Sequence, residues 1–174
     1  MEILLITAGR SCGKSEVIVR TAGWLQHTEG YRIVRTFHSA SFLPFVPGTS
    51  VRDCEILLEK NGKYVLVHAA TDDAKCVGRL HDNLDLLATE GIRVDVLLTS
   101  CRRFDDPMRR TMAGIMGWSG SLSWNVLSDT LGRPIQEFPL LHIRYDHFPS
   151  VDAWYKLHAC TSVRLLLKGA PYRV

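Results

Sequence analysis

Ala8-Gly9-Arg10-Ser11-Cys12-Gly13-Lys14-Ser15 is the stretch whose reading decides the fold. In front of it runs Met1-Glu2-Ile3-Leu4-Leu5-Ile6-Thr7, an apolar segment of strand length. Behind it runs Glu16-Val17-Ile18-Val19-Arg20-Thr21-Ala22-Gly23-Trp24-Leu25, with apolar residues at helical spacing. A strand, a glycine-bearing loop and a helix in direct succession predict the opening unit of an α/β fold.

The residue types in the loop suit a chain of phosphates. The octet fits Gly-x-x-x-x-Gly-Lys-Ser/Thr with Ala8 in place of the first Gly. A phosphate chain needs several donors converging on a small volume. Gly13 lets the backbone approach closely, so that successive N–H groups point inward. The helix that starts near Lys14 adds its positive end. In this reading Gly9, Arg10, Ser11, Cys12, Gly13, Lys14 and Ser15 form the cofactor-binding loop. Lys14 reaches the β- and γ-phosphates, and the Ser15 hydroxyl ligates Mg²⁺. Two other readings stand beside it: a plain strand-to-helix turn, and a degenerate loop that binds nucleotide without turning it over.

A length of 174 residues predicts one domain with a substantial core. Apolar residues make up 46% and charged residues 22%, which argues against a disordered chain. No apolar run approaches membrane-spanning length. The first apolar stretch flows into the glycine loop and reads as a core strand, not a signal peptide. The net charge of +3 permits an anionic ligand but carries no clear nucleic-acid signature. Cys12, Cys54, Cys76, Cys101 and Cys160 show no CxxC pair and no zinc spacing. Reduced thiols in a cytoplasmic protein are expected.

Further along, Glu29-Gly30 stops the first helix and Tyr31–Phe37 reads as a second strand. His38–Thr49, with Pro44, Pro47 and Gly48, reads as a loop across the mouth of the sheet. Cys54–Lys60, Asn61-Gly62 and Lys63–Ala69 form a hairpin pattern, the second arm being apolar enough for a central strand. Asp73–Thr89 is helical by periodicity, with Val77, Leu80, Leu84 and Leu87 on one face, and Gly91 closes it. Ile92–Ser100 reads as a buried strand. Gly114–Pro134 resists assignment. Leu140–Tyr145 reads as a late strand, Ser150 as the N-cap of a helix, and Ser162–Lys168 as a final strand or a helix end. The expected architecture is therefore α/β: a three-layer sandwich on a mostly parallel sheet, made mixed by an antiparallel edge from the Cys54–Lys60 arm.

Other residues carry candidate chemistry. A carboxylate at the end of a strand beside the loop would hold the metal or its water shell. Here Val65-Leu66-Val67 leads to His68, and the nearest carboxylates are Asp72 and Asp73. Asp72 is the metal candidate and both are catalytic candidates; helix capping is the alternative role. His68 would position a water or serve as a satisfied core residue. Thr99 and Ser100 end a central strand, where a polar residue senses the γ-phosphate or simply terminates the strand; Thr99 joins the cofactor-binding set. Arg102, Arg103, Arg109 and Arg110 would close over a nucleotide as a lid, with Arg103 and Arg110 as catalytic candidates, or form a solvated face balanced by Asp105 and Asp106. Trp118, Trp124 and Phe138 would bind a base or a partner, or pin a loop to the core.

By Ala8–Ser15 in its strand-loop-helix setting, the chain resembles the P-loop NTPase superfamily. The resemblance implies a parallel sheet flanked by helices, a nucleoside triphosphate with Mg²⁺, and phosphoryl transfer; Gly13, Lys14 and Ser15 carry over from its motif. The second metal-binding motif does not match cleanly, and no Asn-Lys-x-Asp is present to read guanine. Three functions follow: a small ATP-binding NTPase that hydrolyses nucleotide with Mg²⁺, a small-molecule or nucleotide kinase, or a nucleotide-dependent interaction module with little turnover. A homo-oligomer or a protein partner stays open.

Overall fold

The first strand is buried from Ile3 to Thr7, so both of its faces are covered. That is the pattern of a central strand in a sheet flanked by helices. The computed structural model describes residues 1–9, 12–38, 53–69, 74–101, 135–140 and 149–174. Along them run β1 (Glu2–Thr7), α1 (Lys14–His27), β2 (Arg32–His38), β3 (Glu55–Lys60), β4 (Lys63–His68), α2 (Ala74–Thr89), β5 (Val96–Cys101), β6 (Ile135–Pro139) and α3 (Pro149–Lys168). The strands form one sheet in the order β2-β3-β4-β5-β1-β6. β1 pairs in parallel with β5 on one side and β6 on the other, and β4 pairs in parallel with β5.

β3 alone runs against the rest, antiparallel to both β2 and β4. The class is α/β and the sheet is mixed and mostly parallel, but the antiparallel arm is not the edge that its sequence suggests. β2 lies outside it. The burial patterns give the reason: β3 is buried from Glu55 to Glu59, whereas β2 alternates exposed and half-buried residues. The β3–β4 hairpin itself is built as its sequence demands. Asn61 and Gly62 take φ of 51° and 78°, the left-handed pair that a two-residue hairpin turn requires. Glu59 Oε1 accepts from the Gly62 N–H at 2.8 Å and fixes that turn.

Side-chain alternation sorts the apolar residues into two cores. On one face Leu4 and Ile6 of β1 join Val17 and Ile18 of α1 and Val163 and Leu167 of α3. On the other, Ile3 and Leu5 join Leu66 and Leu97 of the neighbouring strands and Leu80 and Leu87 of α2. Each fully buried aliphatic side chain contributes roughly 1.5–3 kcal/mol relative to exposure. The three helices of the described residues thus occupy both faces. Leu84 packs on the α2 core with Leu80 and Leu87, as the periodicity predicts; the side chain of Val77 lies outside the described residues.

Several boundaries differ from the sequence reading. β5 begins at Val96, not Ile92, because residues 92–95 close other structure: the Ile92 N–H donates to Leu87 O at 2.9 Å and the Asp95 N–H to Tyr64 O at 2.9 Å. The late strand is Ile135–Pro139, and it stops before Leu140. Two prolines, Pro134 and Pro139, bracket it and hide it from a search for apolar runs. Pro139 is tolerated because β6 sits at the sheet edge among the described strands. Residues 141–148, including Leu141–Tyr145 of the expected strand, lie outside the described residues. Ser162–Lys168 is the end of α3. That helix begins at Pro149, whose fixed φ suits a first helical position, so Ser150 falls inside the first turn, not at the cap. The expected loop His38–Thr49 lies outside the described residues except for His38, which ends β2.

Candidate functional site

β1 delivers the chain to the carboxyl ends of the parallel strands, where the glycine loop begins. Gly13 holds φ 80° and ψ 13°, a left-handed conformation that glycine adopts without steric cost, and it caps α1 with no side-chain hydrogen bond. The first N–H groups of an α-helix have no partner within the helix. At α1 the cap is a glycine and makes no side-chain hydrogen bond; a helix N-terminus of this kind favours an anion. Lys14 is the first residue of α1 and is only 6% exposed. Its Nζ donates to the Gly9 carbonyl at 2.8 Å, so the side chain folds back across the loop. A cation at the positive end of a helix is disfavoured by the helix dipole, and an anion bound between them would attract both and offset that repulsion.

The hydroxyls of Ser15 and Ser100 both point at the Ala69 carbonyl oxygen, each at 3.5 Å. These are long contacts, at the outer limit for a hydrogen bond. They bring the start of α1, the end of β4 and the end of β5 together. α1 lies on one face of the sheet and α2, which follows β4, on the other. Open α/β sheets bind ligands outside the carboxyl ends of their strands, where connections part to opposite faces.

The neighbouring residues His68 and Thr99 face the other way. Their Cα atoms are register partners, and the row continues to Glu55 of β3. All three belong to the α2 face, set by the same alternation as Leu57, Leu66 and Leu97. Thr99 Oγ1 lies 3.4 Å from His68 Nδ1, and His68 Nε2 lies 3.2 Å from the Cys76 carbonyl. One neutral tautomer satisfies both contacts: Nε2–H donates to Cys76 and Nδ1 accepts from Thr99. Glu55 is 1% exposed. Its Oε1 accepts from Arg79 Nε at 3.0 Å and from the Arg79 terminal nitrogen at 2.8 Å, and its Oε2 accepts from Asn83 at 3.2 Å.

Glu55 Oε1 also stands 3.6 Å from His68 Nε2, an ion pair only if the ring is protonated. Burial opposes that protonation most strongly and pushes the His68 pKa down to about 4; the Glu55 carboxylate pulls the other way and loses. The geometry agrees, since the carboxylate is already engaged by Arg79 and Asn83 and the ring by Cys76 and Thr99. His68 is therefore a neutral, buried, hydrogen-bonded residue.

Of the residues expected to form the site, Gly9, Gly13, Lys14 and Ser15 come together at the β1–α1 junction, and Cys12 is half-buried against the α1-side core. Thr99 is placed on the opposite face from Ser15, against His68, while Ser100 beside it faces Ser15 through the Ala69 carbonyl. Arg10, Ser11, Asp72, Asp73, Arg103 and Arg110 lie outside the described residues, as do Arg102, Arg109, Trp118 and Trp124. Phe138 packs against the α1-side core. Sequence reasoning missed Glu55, Arg79 and Asn83. The signal was a carboxylate opening the apolar run Ile56-Leu57-Leu58, with an Arg and an Asn one helical turn apart on α2.

Among the described residues no group of three or more His, Cys, Asp or Glu is arranged to hold a metal ion. No described helix is long and apolar enough to cross a membrane. No family model, no curated protein and no solved structure matches the chain.

Proposed function

We propose that the chain binds a nucleoside triphosphate, ATP, with Mg²⁺ at the β1–α1 junction and hydrolyses it, as a P-loop NTPase. The observation that carries the reading is the placement of Lys14: a buried ammonium at the N-terminus of α1, folded over a glycine-bearing loop at the carboxyl ends of parallel strands. A phosphate group seated there would accept from the first N–H groups of α1 and from Lys14 Nζ, in place of the Gly9 carbonyl. Charge-assisted bonds of that kind are roughly twice as strong as neutral ones.

The residues present suit Mg²⁺. The ion takes oxygen ligands, commonly one or two from protein with the rest from phosphate and water. The Ser15 hydroxyl supplies such an oxygen, and its hydrogen is directed to the Ala69 carbonyl. When bound, the ion neutralises charge on the phosphate oxygens. Lys14 holds the phosphates, Ser15 offers a lone pair, and Ser100 presents a second hydroxyl at the same carbonyl. Asp72 and Asp73 follow β4 closely in sequence and are proposed to orient water; Arg103 and Arg110 are proposed to close over the nucleotide.

A second reading, a nucleotide-dependent interaction module with little turnover, is favoured by His68. It stands at the end of β4, where a metal-directed carboxylate would serve catalysis, and its ring is committed to Thr99 and Cys76.

Calorimetry with Mg²⁺-ATP and Mg²⁺-GTP tests the binding. Lys14→Ala is expected to weaken binding by at least about tenfold, from the loss of a charge-assisted contact of about 1.5–3 kcal/mol, with an unchanged far-ultraviolet spectrum. Equal affinity in the variant would overturn the site assignment. Tight binding without phosphate release would favour the interaction module over the hydrolase.

A further inference from the structure

The buried polar cluster on the α2 face is joined to the opposite face of the sheet by one short path. Arg79 and Asn83 of α2 hold the Glu55 carboxylate at the first position of β3. The residue before it, Cys54, accepts at its carbonyl from the Ala69 N–H at 2.9 Å. The Ala69 carbonyl, on the other side of the same residue, is the oxygen at which the Ser15 and Ser100 hydroxyls point. His68, next to Ala69, is tied to the first turn of α2 through Cys76 and to β5 through Thr99. Ala69 is thereby held from its N–H side by Cys54 and through its neighbour His68 by Cys76 and Thr99.

We infer that Glu55 and Arg79 are positioning residues for the Ser15 hydroxyl. The inference rests on the reading of Ser15 as a Mg²⁺ ligand. A hydroxyl that donates its hydrogen to a fixed carbonyl keeps its lone pairs turned toward a cation, and the groups that fix the acceptor tune the ligand. The long 3.5 Å contact leaves the orientation sensitive to where Ala69 sits. Glu55 is the pivot: at 1% exposure its charge has no water to turn to, so it stays clamped to Arg79 and holds the start of β3 in place. Arg79, about one-third exposed, reaches it from the surface of α2.

The path predicts a selective defect. Lys14 and the α1 N–H groups hold phosphate without the metal, whereas the Ser15 hydroxyl acts only when Mg²⁺ is present. Calorimetric titrations with ATP, with and without Mg²⁺, are made on the wild type and on Arg79→Ala, Ser15→Ala and the double variant, with a thermal melt of each. Arg79→Ala should weaken Mg²⁺-ATP about threefold to tenfold, toward the lower end of the coupling between linked residues, and leave ATP without Mg²⁺ unchanged. In the Ser15→Ala background it should add nothing. Asn83→Ala and Glu55→Gln, which leave a partner in place on Glu55 or Arg79, provide the same comparison should Arg79→Ala fail to fold. Equal weakening with and without Mg²⁺, or effects that multiply in the double variant, would overturn the positioning role while leaving the nucleotide site standing. Failure of the wild type to bind ATP at all would overturn the site reading and the positioning role with it.

Discussion

Replacing His68 with Gln should flatten the acid side of the stability curve. The ring is 0% exposed, and burial lowers its pKa from the ordinary 6.5 to about 4. The unfolded chain takes up a proton near pH 6.5, whereas the folded chain resists it until about pH 4. The folded-state value is depressed, so the stabilisation is full above pH 6.5. It is lost as pH falls, and it levels off below about pH 4. A gap of roughly 2.5 pH units between 6.5 and about 4, at about 1.36 kcal/mol per unit, comes to about 3 kcal/mol. Other groups titrate in the same window, so the test is a difference. Urea unfolding is followed at half-unit steps from pH 7.5 to pH 4, and the wild-type curve is compared with that of His68→Gln. The variant should start lower by about 1–2 kcal/mol, for two altered hydrogen bonds, draw level with the wild type as the solution is acidified, and end more stable than it by about 1–2 kcal/mol near pH 4. Parallel curves would refute the neutral, buried assignment. A gap that widens on acidification would show that His68 is protonated in the fold and paired with Glu55 across their 3.6 Å separation.

Two further outcomes test the packing around the sheet. Burial pushes the Cys54 thiol up to about 12 and the Cys160 thiol up to about 11, so both should resist an aromatic disulfide reagent at pH 8 in the folded protein and react once urea is added; prompt labelling of either in the native state, located by mass spectrometry, would contradict the placement. Tyr172→Phe removes a buried hydroxyl that donates to the Ile3 carbonyl at 2.9 Å, and should lower the free energy of unfolding by about 1–2 kcal/mol in urea. An unchanged midpoint would mean that this tether of the chain's end to β1 contributes nothing.

The junction of β1 and α1 was legible because its signals are local. An apolar run, a glycine able to adopt a positive φ, and a Lys-Ser pair opening an apolar helix all lie within a few turns of each other. Asn61-Gly62 was legible for the same reason, since a two-residue turn carries its own conformational demand. Strand order was not. Tyr31–Phe37 reads simply as a second strand and the Cys54–Lys60 arm as an antiparallel edge; only their pairing puts β3 inside and β2 at the edge of the described strands. The short β6 shows little pattern of its own and is defined by its parallel register with β1.

What the amino-acid order determines by itself is the β1–α1 unit with its glycine-bearing turn, the β3–β4 hairpin and the helix α2. The tertiary structure alone decides that Thr99 and Ser100, adjacent in sequence, serve opposite faces. A strand turns successive side chains to opposite sides, and which side meets α1 and which meets α2 depends on where the helices pack. It alone also brings Glu55 to Arg79 and Asn83, 24 and 28 residues further along the chain. A contact between distant segments leaves no periodicity in either of them; it exists only once β3, β4 and α2 share a core.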